Sequence, residues 1–420
     1  MSACLTFNIP KDWSLVPLKA ISEYKVSPVD KIKKDDEVDV LLCNYTDVYK
    51  NTYITSDIEF MEGSATKEEI QQYKIQYGDI LITKDSEDWQ DIGIPAMVKE
   101  NFENVICGYH LAIIRPHRQR IHPKFLYYCF EDKNLRLQIE LAATGVTRFG
   151  IPKLAIGSYK IPLPSLSHQN KIVDYLDAEL SKIDKLITQK NQLLNLLEEK
   201  KKAIISRAVT RGIHPNVKLK NSGIDWLGEV PEHWRIIKLK YLVNKIDKRD
   251  NNEDVSFKVA VENIQSFTGQ LTGLENFDYS GGVSLFKKDD VIFNKLRPYL
   301  AKVYLATQGG GVYGELLILR ANKGVLPKFI FYSLINKDFI DVVDSSTTGT
   351  KMPRASWEDF IQHIFIPISS RHEQEEIVAY LDFNINRINK IIKRLTNSIQ
   401  LLIEKRTILI SSVLNGKTPL

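Results

Sequence analysis

The chain has no apolar run approaching the ~20 residues that a membrane-spanning helix needs, so no membrane span is expected. Cysteine is scarce. Cys4, Cys43, Cys107 and Cys129 are scattered without a CxxC pair or a histidine cluster, which reads as reduced thiols and no zinc site. The start, MSACLTFNIPKDW, lacks the basic flank and apolar stretch of a secretory signal, and the expected location is the cytoplasm. The Asn/Asp-Pro-Pro-aromatic motif of an adenine methyltransferase is missing, and two glycine-rich stretches fail as phosphate loops. Gly309–Gly314 matches GxGxxG but leads into the strand-like run Glu315–Arg320, with no helix N-terminus to face a phosphate. Gly145–Gly150 has P-loop glycine spacing, yet Ile151 and Pro152 stand where Lys and Ser/Thr would hold phosphate and magnesium.

What the chain does have is size and a balanced mixture. Its 420 residues exceed one ordinary core, and at roughly 150 residues per domain they imply two or three. An apolar share of 43% with 26% charged residues is that of a soluble globular protein. A formal net charge of +5 permits a nucleic-acid partner without requiring one.

The dominant signal is an internal repeat. Ile9-Pro10-Lys11-Asp12-Trp13 recurs as Val230-Pro231-Glu232-His233-Trp234, with Pro10 and Pro231 lying 221 positions apart. Gly78–Lys84 returns as Asp289–Lys295, where Asp79 and Asp290 are 211 apart, so a loop has shortened. Leu111–Arg115 then pairs with Leu316–Arg320, 205 positions on, and Pro123–Tyr128 pairs with Pro327–Tyr332. Thr144-Gly145 answers Thr348-Gly349, and Ile161-Pro162 answers Ile366-Pro367. Gln169, Ile172, Tyr175, Leu176 and Asp177 map onto Gln374, Ile377, Tyr380, Leu381 and Asp382. The order never breaks, which marks a duplication.

Each copy has two parts. Residues 1–165 and 216–370 mix short β-branched and aromatic runs with turn residues and a few helical stretches, the pattern of a globular α/β (α+β) module. In 166–215 and 371–420 a heptad pattern runs without internal proline over about 167–211 and 371–415, which predicts two long helices. The first seam is Leu176, Ile183, Lys190, Leu197, Ile204 with Leu180, Ile187, Leu194, Lys201, Ala208. The second is Leu381, Ile388, Leu395, Leu402, Leu409 with Ile385, Ile392, Ile399, Arg406, Val413. One such helix would lie equally well on its own domain. Two matched seams are most simply buried on each other, giving an antiparallel coiled coil between two pseudo-twofold-related modules. At ~1.5 Å per residue, ~40 helical residues make a rod of roughly 60 Å. Two unlike modules so placed would read an asymmetric bipartite DNA sequence.

Several stretches together resemble one known family. They are Ser222–Trp234 (SGIDWLGEVPEHW), Asn44–Tyr49, Val261–Gly269, the Gly-Asp-Ile-Leu run at 78–81, and Ile-Pro-Leu-Pro at 161–164. His-Gln at 168–169 and Glu-Gln at 373–374 precede the helices, His168 standing where the second copy has Glu373. Over nearly the whole chain the sequence is similar to the specificity subunits of type I restriction-modification systems. The resemblance implies two target-recognition domains reading double-stranded DNA, and helices that set the gap and dock two methyltransferase (M) subunits. Restriction/motor (R) subunits add to these. It implies no catalytic centre and no cofactor in this chain, with S-adenosylmethionine held by the M partner and ATP and Mg by the R partner. A coiled-coil interaction scaffold without DNA selectivity is the competing reading, and a related system whose partner fuses methylase and nuclease would share the architecture.

Phosphate contacts call for Lys and Arg on loops, and base reading for Arg, Asn, Gln or Thr. Thr144-Gly145-Val146-Thr147-Arg148 with Lys153, and Thr348-Gly349-Thr350-Lys351 with Arg354, are basic, turn-rich and repeated, and are the first candidates. Lys84 and Lys295, with Arg297, come next. Asn44, Tyr45 and Thr46, paired with Asn263, Ile264 and Gln265, follow strand-like runs; base reading and turn capping are both open to the asparagines. Tyr24, Tyr49 and Tyr53 read as packing. For Arg115, Arg118 and Arg120, beside His117 and His122, a solvated loop and phosphate contact are both open, and Glu198–Lys202 reads as a solvated helix face.

Overall fold

The computed structural model describes residues 9–247, 249–250, 255–274, 282–418 and 420. They form two compact units, Met1–Gln189 with Asn397–Leu420, and Lys190–Thr396. Among the helices are two short ones, α1 (Pro123–Glu131) and α3 (Pro327–Ile335), and two long ones, α2 (Leu166–Arg211) and α4 (Arg371–Leu414). The long helices α2 and α4 serve both units. α2 starts in the first and ends in the second, and α4 runs the opposite way. Among the described residues no helix is long and apolar enough to cross a membrane.

The first unit is built on a five-stranded sheet in the order Ser22–Val26, Leu111–Pro116, Ile80–Thr83, Pro95–Val98, Tyr53–Ile54, antiparallel except at its last pair. Its central strands are apolar on both faces because both faces are covered. Ile80, Ile82, Ala112 and Ile114 point into the core that α1, α2 and the end of α4 complete, whereas Leu81, Leu111 and Ile113 point into a second cluster with Cys43, Val48 and Val105. That second cluster is roofed by a three-stranded sheet, Met61–Ala65, Val38–Cys43 and Val105–Cys107.

The second unit repeats this plan in a four-stranded sheet, Val243–Ile246, Leu316–Ala321, Val291–Asn294, Val303–Leu305. Val291, Phe293, Leu317 and Leu319 face the helices, while Ile292, Leu316 and Ile318 face a smaller cluster with Val259 and Phe286. The same period of two therefore divides each copy between two cores. A strand pair also closes each module at the foot of its long helix, Ser14–Pro17 with Lys160–Leu163 in one and Arg235–Lys238 with Phe365–Ile368 in the other.

One pairing moves. Cys43 lies beside Cys107 and Val259 beside Val312 in equivalent parallel pairs, so the counterpart of Asn44 is Ala260 and that of Asp47 is Asn263. The capping geometry agrees: Asn44 N donates to Asp47 Oδ2 (2.7 Å) and Ala260 N to Asn263 Oδ1 (2.9 Å). The sequence pairing of Asn44 with Asn263 is three residues out, because the loop lengths of the two copies change just there.

None of the seam positions is exposed. Leu176, Leu180, Ile183, Leu381 and Ile388 are buried, and Ile187, Leu194, Leu197, Ile204, Ile385, Ile392, Leu395, Ile399, Leu402 and Leu409 are half-buried. At the helix ends the apolar face is wider than a heptad seam. Ile172 and Val173 join Ile410, Val413 and Leu414 in the first core, and Ile205 and Val209 join Ile377 and Val378 in the second. There each helix packs on a module as well as on the other helix. The cations at seam positions are answered locally: Arg406 pairs with Glu131 (2.8 Å) and Asp184 (3.2 Å), and buried Lys201 with Glu198 (2.6 Å).

Candidate nucleic-acid interface

In each unit three loops meet at one end of the sheet. In the first, backbone bonds between Thr144 and Gly150 (3.0 and 2.8 Å) close a tight turn, and Gly150 pairs with Asp85. Gly145 has φ +140°, and a Cβ there would lie 1.9 Å from Arg148 O, so only glycine makes this turn. Ile151 N donates to Lys84 O (2.9 Å), and Lys84 N to His110 O (2.8 Å), which ties the turn to the strand ends on either side.

The side chains gathered there are Lys84, Asp85, His110 and Arg148. Asp85 accepts from Lys84 Nζ (3.1 Å) and from His110 Nδ1 (2.8 Å), and Arg148 Nη2 lies 3.2 Å from His110 Nε2. With Nδ1 protonated toward Asp85, Nε2 is free to accept from the guanidinium. Tyr109 is exposed, with Lys84 Nζ 5.9 Å from its ring centre. Tyr45 stacks on Tyr49 at 5.6 Å beside Arg148, in a cleft of about 340 Å³ edged by Asp85, Glu87, Asp88 and Asp91. Thr46, Thr147 and Lys153 are exposed.

The second unit repeats the framework with different groups. Thr348 and Arg354 exchange backbone bonds (3.1 and 3.0 Å), and Ala355 N donates to Lys295 O (3.0 Å). Glu315, the counterpart of His110, holds Lys295 (3.0 Å) and Arg354 (2.7 Å) on one carboxylate. Arg297 Nη2 donates to Lys351 O (3.2 Å), and Thr350 and Lys351 are exposed. His110 (φ +71°) and Arg297 (φ +51°) both occupy the left-handed region, which costs a non-glycine residue about 1 kcal/mol or more and concentrates at functional sites.

His110, Glu315, Tyr109 and Asp85 were not singled out from sequence. The signal was positional: His110 and Glu315 immediately precede the repeated Leu111 and Leu316, but differ in chemistry. Asn263 is fully buried, its Oδ1 on Ala260 N and its Nδ2 on Thr272 O (3.2 Å) and Gly273 O (3.1 Å). Asn44 is also buried, with Nδ2 3.4 Å from Leu42 O. Of the neighbours in that loop, Gln265 is exposed. Arg115 is locked bidentately on Asp79 (2.9 and 2.7 Å), Arg118 donates to Tyr77 O, and Arg120 to Ala20 O, so this basic run braces the module. Tyr24 lies over Gly157, and Tyr53 sits beneath the ammonium groups of Lys99 (4.7 Å) and Lys124 (5.6 Å). Gly310 and Gly311 lie in a strand, where a Cβ would strike Phe257 O and Val283; they allow close sheet approach. Among the described residues no group of His, Cys, Asp and Glu is placed to hold a metal ion.

Comparison with known proteins agrees with this layout. The family described as the type I restriction modification DNA specificity domain matches residues 10–198. A Methanocaldococcus jannaschii protein provisionally named type I restriction enzyme MjaX specificity subunit is 27% identical over 235 residues, 55% of this chain and 53% of its own. The match therefore spans about half of that relative. The type I restriction enzyme EcoDI specificity subunit of Escherichia coli is 23% identical over 68% of this chain and 69% of its own. Among solved structures, a chain from work on complex assembly and conformational transition of the type I R-M system has TM-score 0.70 at 15% identity, covering 98% of this chain and 100% of that one. The HsdS subunit from Thermoanaerobacter tengcongensis has TM-score 0.52 at 17% identity, covering 98% of each. These two share the fold.

Proposed function

We propose that this chain, which is similar to the specificity subunits of type I restriction-modification systems, is the DNA-reading subunit of such a complex. Each module reads one half of an asymmetric, split site in double-stranded DNA, and the long helices hold the two halves at a set gap. The observation that carries this reading is the duplicated three-loop site, which keeps one framework and presents unlike side chains in its two copies. Lys84, Arg148 and Lys153 in one module, and Lys295, Arg297, Lys351 and Arg354 in the other, contact phosphates. Thr46, Thr147, Gln265 and Thr350 are exposed and of the right chemistry for base edges. Asn263 serves its own loop, so Gln265 takes its part in reading.

The chain itself carries out no chemical step and binds no cofactor in this reading. It positions two methyltransferase subunits, which bring S-adenosylmethionine, and restriction subunits, which bring ATP and magnesium, and it works in the cytoplasm. The test is co-expression with its methyltransferase partner, followed by single-molecule sequencing of methylated adenines across the host genome. A split motif of two unlike halves with one gap is expected. A soluble, assembled complex that adds no methylation would overturn the DNA reading in favour of a scaffold.

A further inference from the structure

A second duplicated feature lies away from the DNA loops, where each module meets the long helix that follows it. Gln169, near the start of α2, is fully buried; its Oε1 accepts from His122 N (2.8 Å) at the head of α1, and its Nε2 donates to Pro164 O (2.9 Å) and Arg120 O (3.2 Å). Two turns along, Asp177 accepts from Lys124 Nζ (2.7 Å) and Tyr128 Oη (2.5 Å) on the same α1. The second unit repeats all of these contacts but the one to Arg120 O. Gln374 Oε1 accepts from Leu326 N (2.8 Å) at the head of α3 and Nε2 donates to Ser369 O (3.0 Å), while Asp382 accepts from Lys328 Nζ (2.6 Å) and Tyr332 Oη (2.7 Å).

Packing alone would hold these helices together, because α1 and α3 are apolar on the faces they bury. An apolar contact is non-directional, however, and tolerates sliding and rotation. A buried glutamine adds nothing to adhesion that an apolar side chain would not, and is costly unless its bonds are made, so it specifies one arrangement. One anchor would still allow a pivot. Two anchors eight residues apart, ~12 Å along the helix axis, fix both the height and the angle of a module on its helix.

We propose that Gln169 with Asp177, and Gln374 with Asp382, are positioning residues that fix the pitch of each module on its own long helix and so set how strictly the gap between half-sites is measured. This rests on the DNA reading above. The gap is then a property of helix length and of two polar latches together.

The test compares gap profiles of methylated sites for wild type and variants, each co-expressed with the methyltransferase partner. Asp382→Ala removes the lower latch of the second unit. The pair Lys328→Met with Tyr332→Phe removes the same bonds at nearly unchanged volume. Both are expected to keep the two half-site sequences while raising methylation at gaps one base pair longer or shorter at least tenfold over wild type. Asp382→Asn, which still accepts from Tyr332, should restore most of the strictness, and Asp177→Ala should broaden the gap as Asp382→Ala does. An assembled Met/Phe variant with the wild-type gap profile overturns the proposal, as does one that only methylates less at the same gap. If Asp382→Ala yields no assembled complex, the Met/Phe pair decides alone. A wild type without a split motif would instead sink the DNA reading itself.

Discussion

The basic residues of the two sites divide by their neighbours, and the division predicts which of them govern the salt dependence of DNA binding. Among the described residues Arg148, Lys153, Arg297 and Lys351 have no carboxylate partner, whereas Lys84 is held by Asp85, and Lys295 and Arg354 share Glu315. Each phosphate neutralised contributes ~0.9 to the slope of log K against log salt. The four unpaired cations together then give a slope of about −3.6, or roughly 150-fold weaker binding between 50 and 200 mM salt. Lys351→Ala should reduce the slope by ~0.9, so the variant loses about 3.5-fold less affinity across that range than wild type. Arg354→Ala should reduce it by less than half as much, since Glu315 already offsets part of its charge. The assay is fluorescence anisotropy of the assembled complex on its own duplex, with Lys200→Ala, on the exposed face of α2, as control. An unchanged slope for Lys351→Ala, or an equal reduction for Lys200→Ala, would refute the assignment.

Further outcomes follow from the same geometry. His110→Glu sets a second carboxylate against Asp85, and should cost about 1–2 kcal/mol in chemical denaturation; adding Asp85→Leu, which mimics Leu296 of the other copy, should recover most of it, and additive effects would sink the idea that these positions compensate. Asp289 holds φ +70° where the first copy has Gly78 at +91°, so Asp289→Gly should stabilise by about 1 kcal/mol, and a loss of stability would contradict the strain argument. Ile183→Asp and Ile388→Asp each place an unpaired carboxylate at a buried position, at a cost of at least ~3 kcal/mol; split-site binding should vanish while single half-sites are still bound weakly, and survival of tight split-site binding would count against the seam. Burial pushes the Cys43, Cys107 and Cys129 thiols up, so at pH 8 they stay protonated, and iodoacetamide followed by peptide mapping should find them unmodified until denaturant is added.

Much of the framework was legible because it depends on patterns that survive substitution. The short apolar runs at Ile80–Thr83 and Val291–Asn294, the Trp13 and Trp234 anchors and the heptads all repeat with their order intact. The anchors even tolerate a change of partner: Trp234 Nε1 donates to Glu373 Oε1 (3.0 Å), while Trp13 meets the edge of His168 at 5.5 Å. Pairing failed at Asn44 and Asn263, because an asparagine in a loop looks alike whether it caps or is capped, and only the strand partners reveal the shift of three. The arginines near His117 could not be judged from sequence either, since Asp79, which binds Arg115, lies 36 residues away.

The two sites conserve a charge arrangement while exchanging its parts. In the first copy an acid follows the repeated lysine, Asp85 after Lys84, and a histidine stands before the repeated Leu111. In the second an apolar Leu296 follows Lys295, and the acid, Glu315, stands before Leu316. Each lysine is held by one carboxylate, at 3.1 and 3.0 Å, but that carboxylate arrives from a different strand end. Holding a cation in place is thus a property of the framework, satisfied twice by different means, whereas the groups left facing outward differ. The first site presents an imidazole with the guanidinium of Arg148 on it, and the second a carboxylate shared by an ammonium and the guanidinium of Arg354. Identical sites would suit a palindrome. A framework duplicated this closely with surfaces this unlike fits two different half-sites, and it explains why the lysines and the glycine turns could be matched between the copies by sequence while His110 and Glu315 had to be found by position.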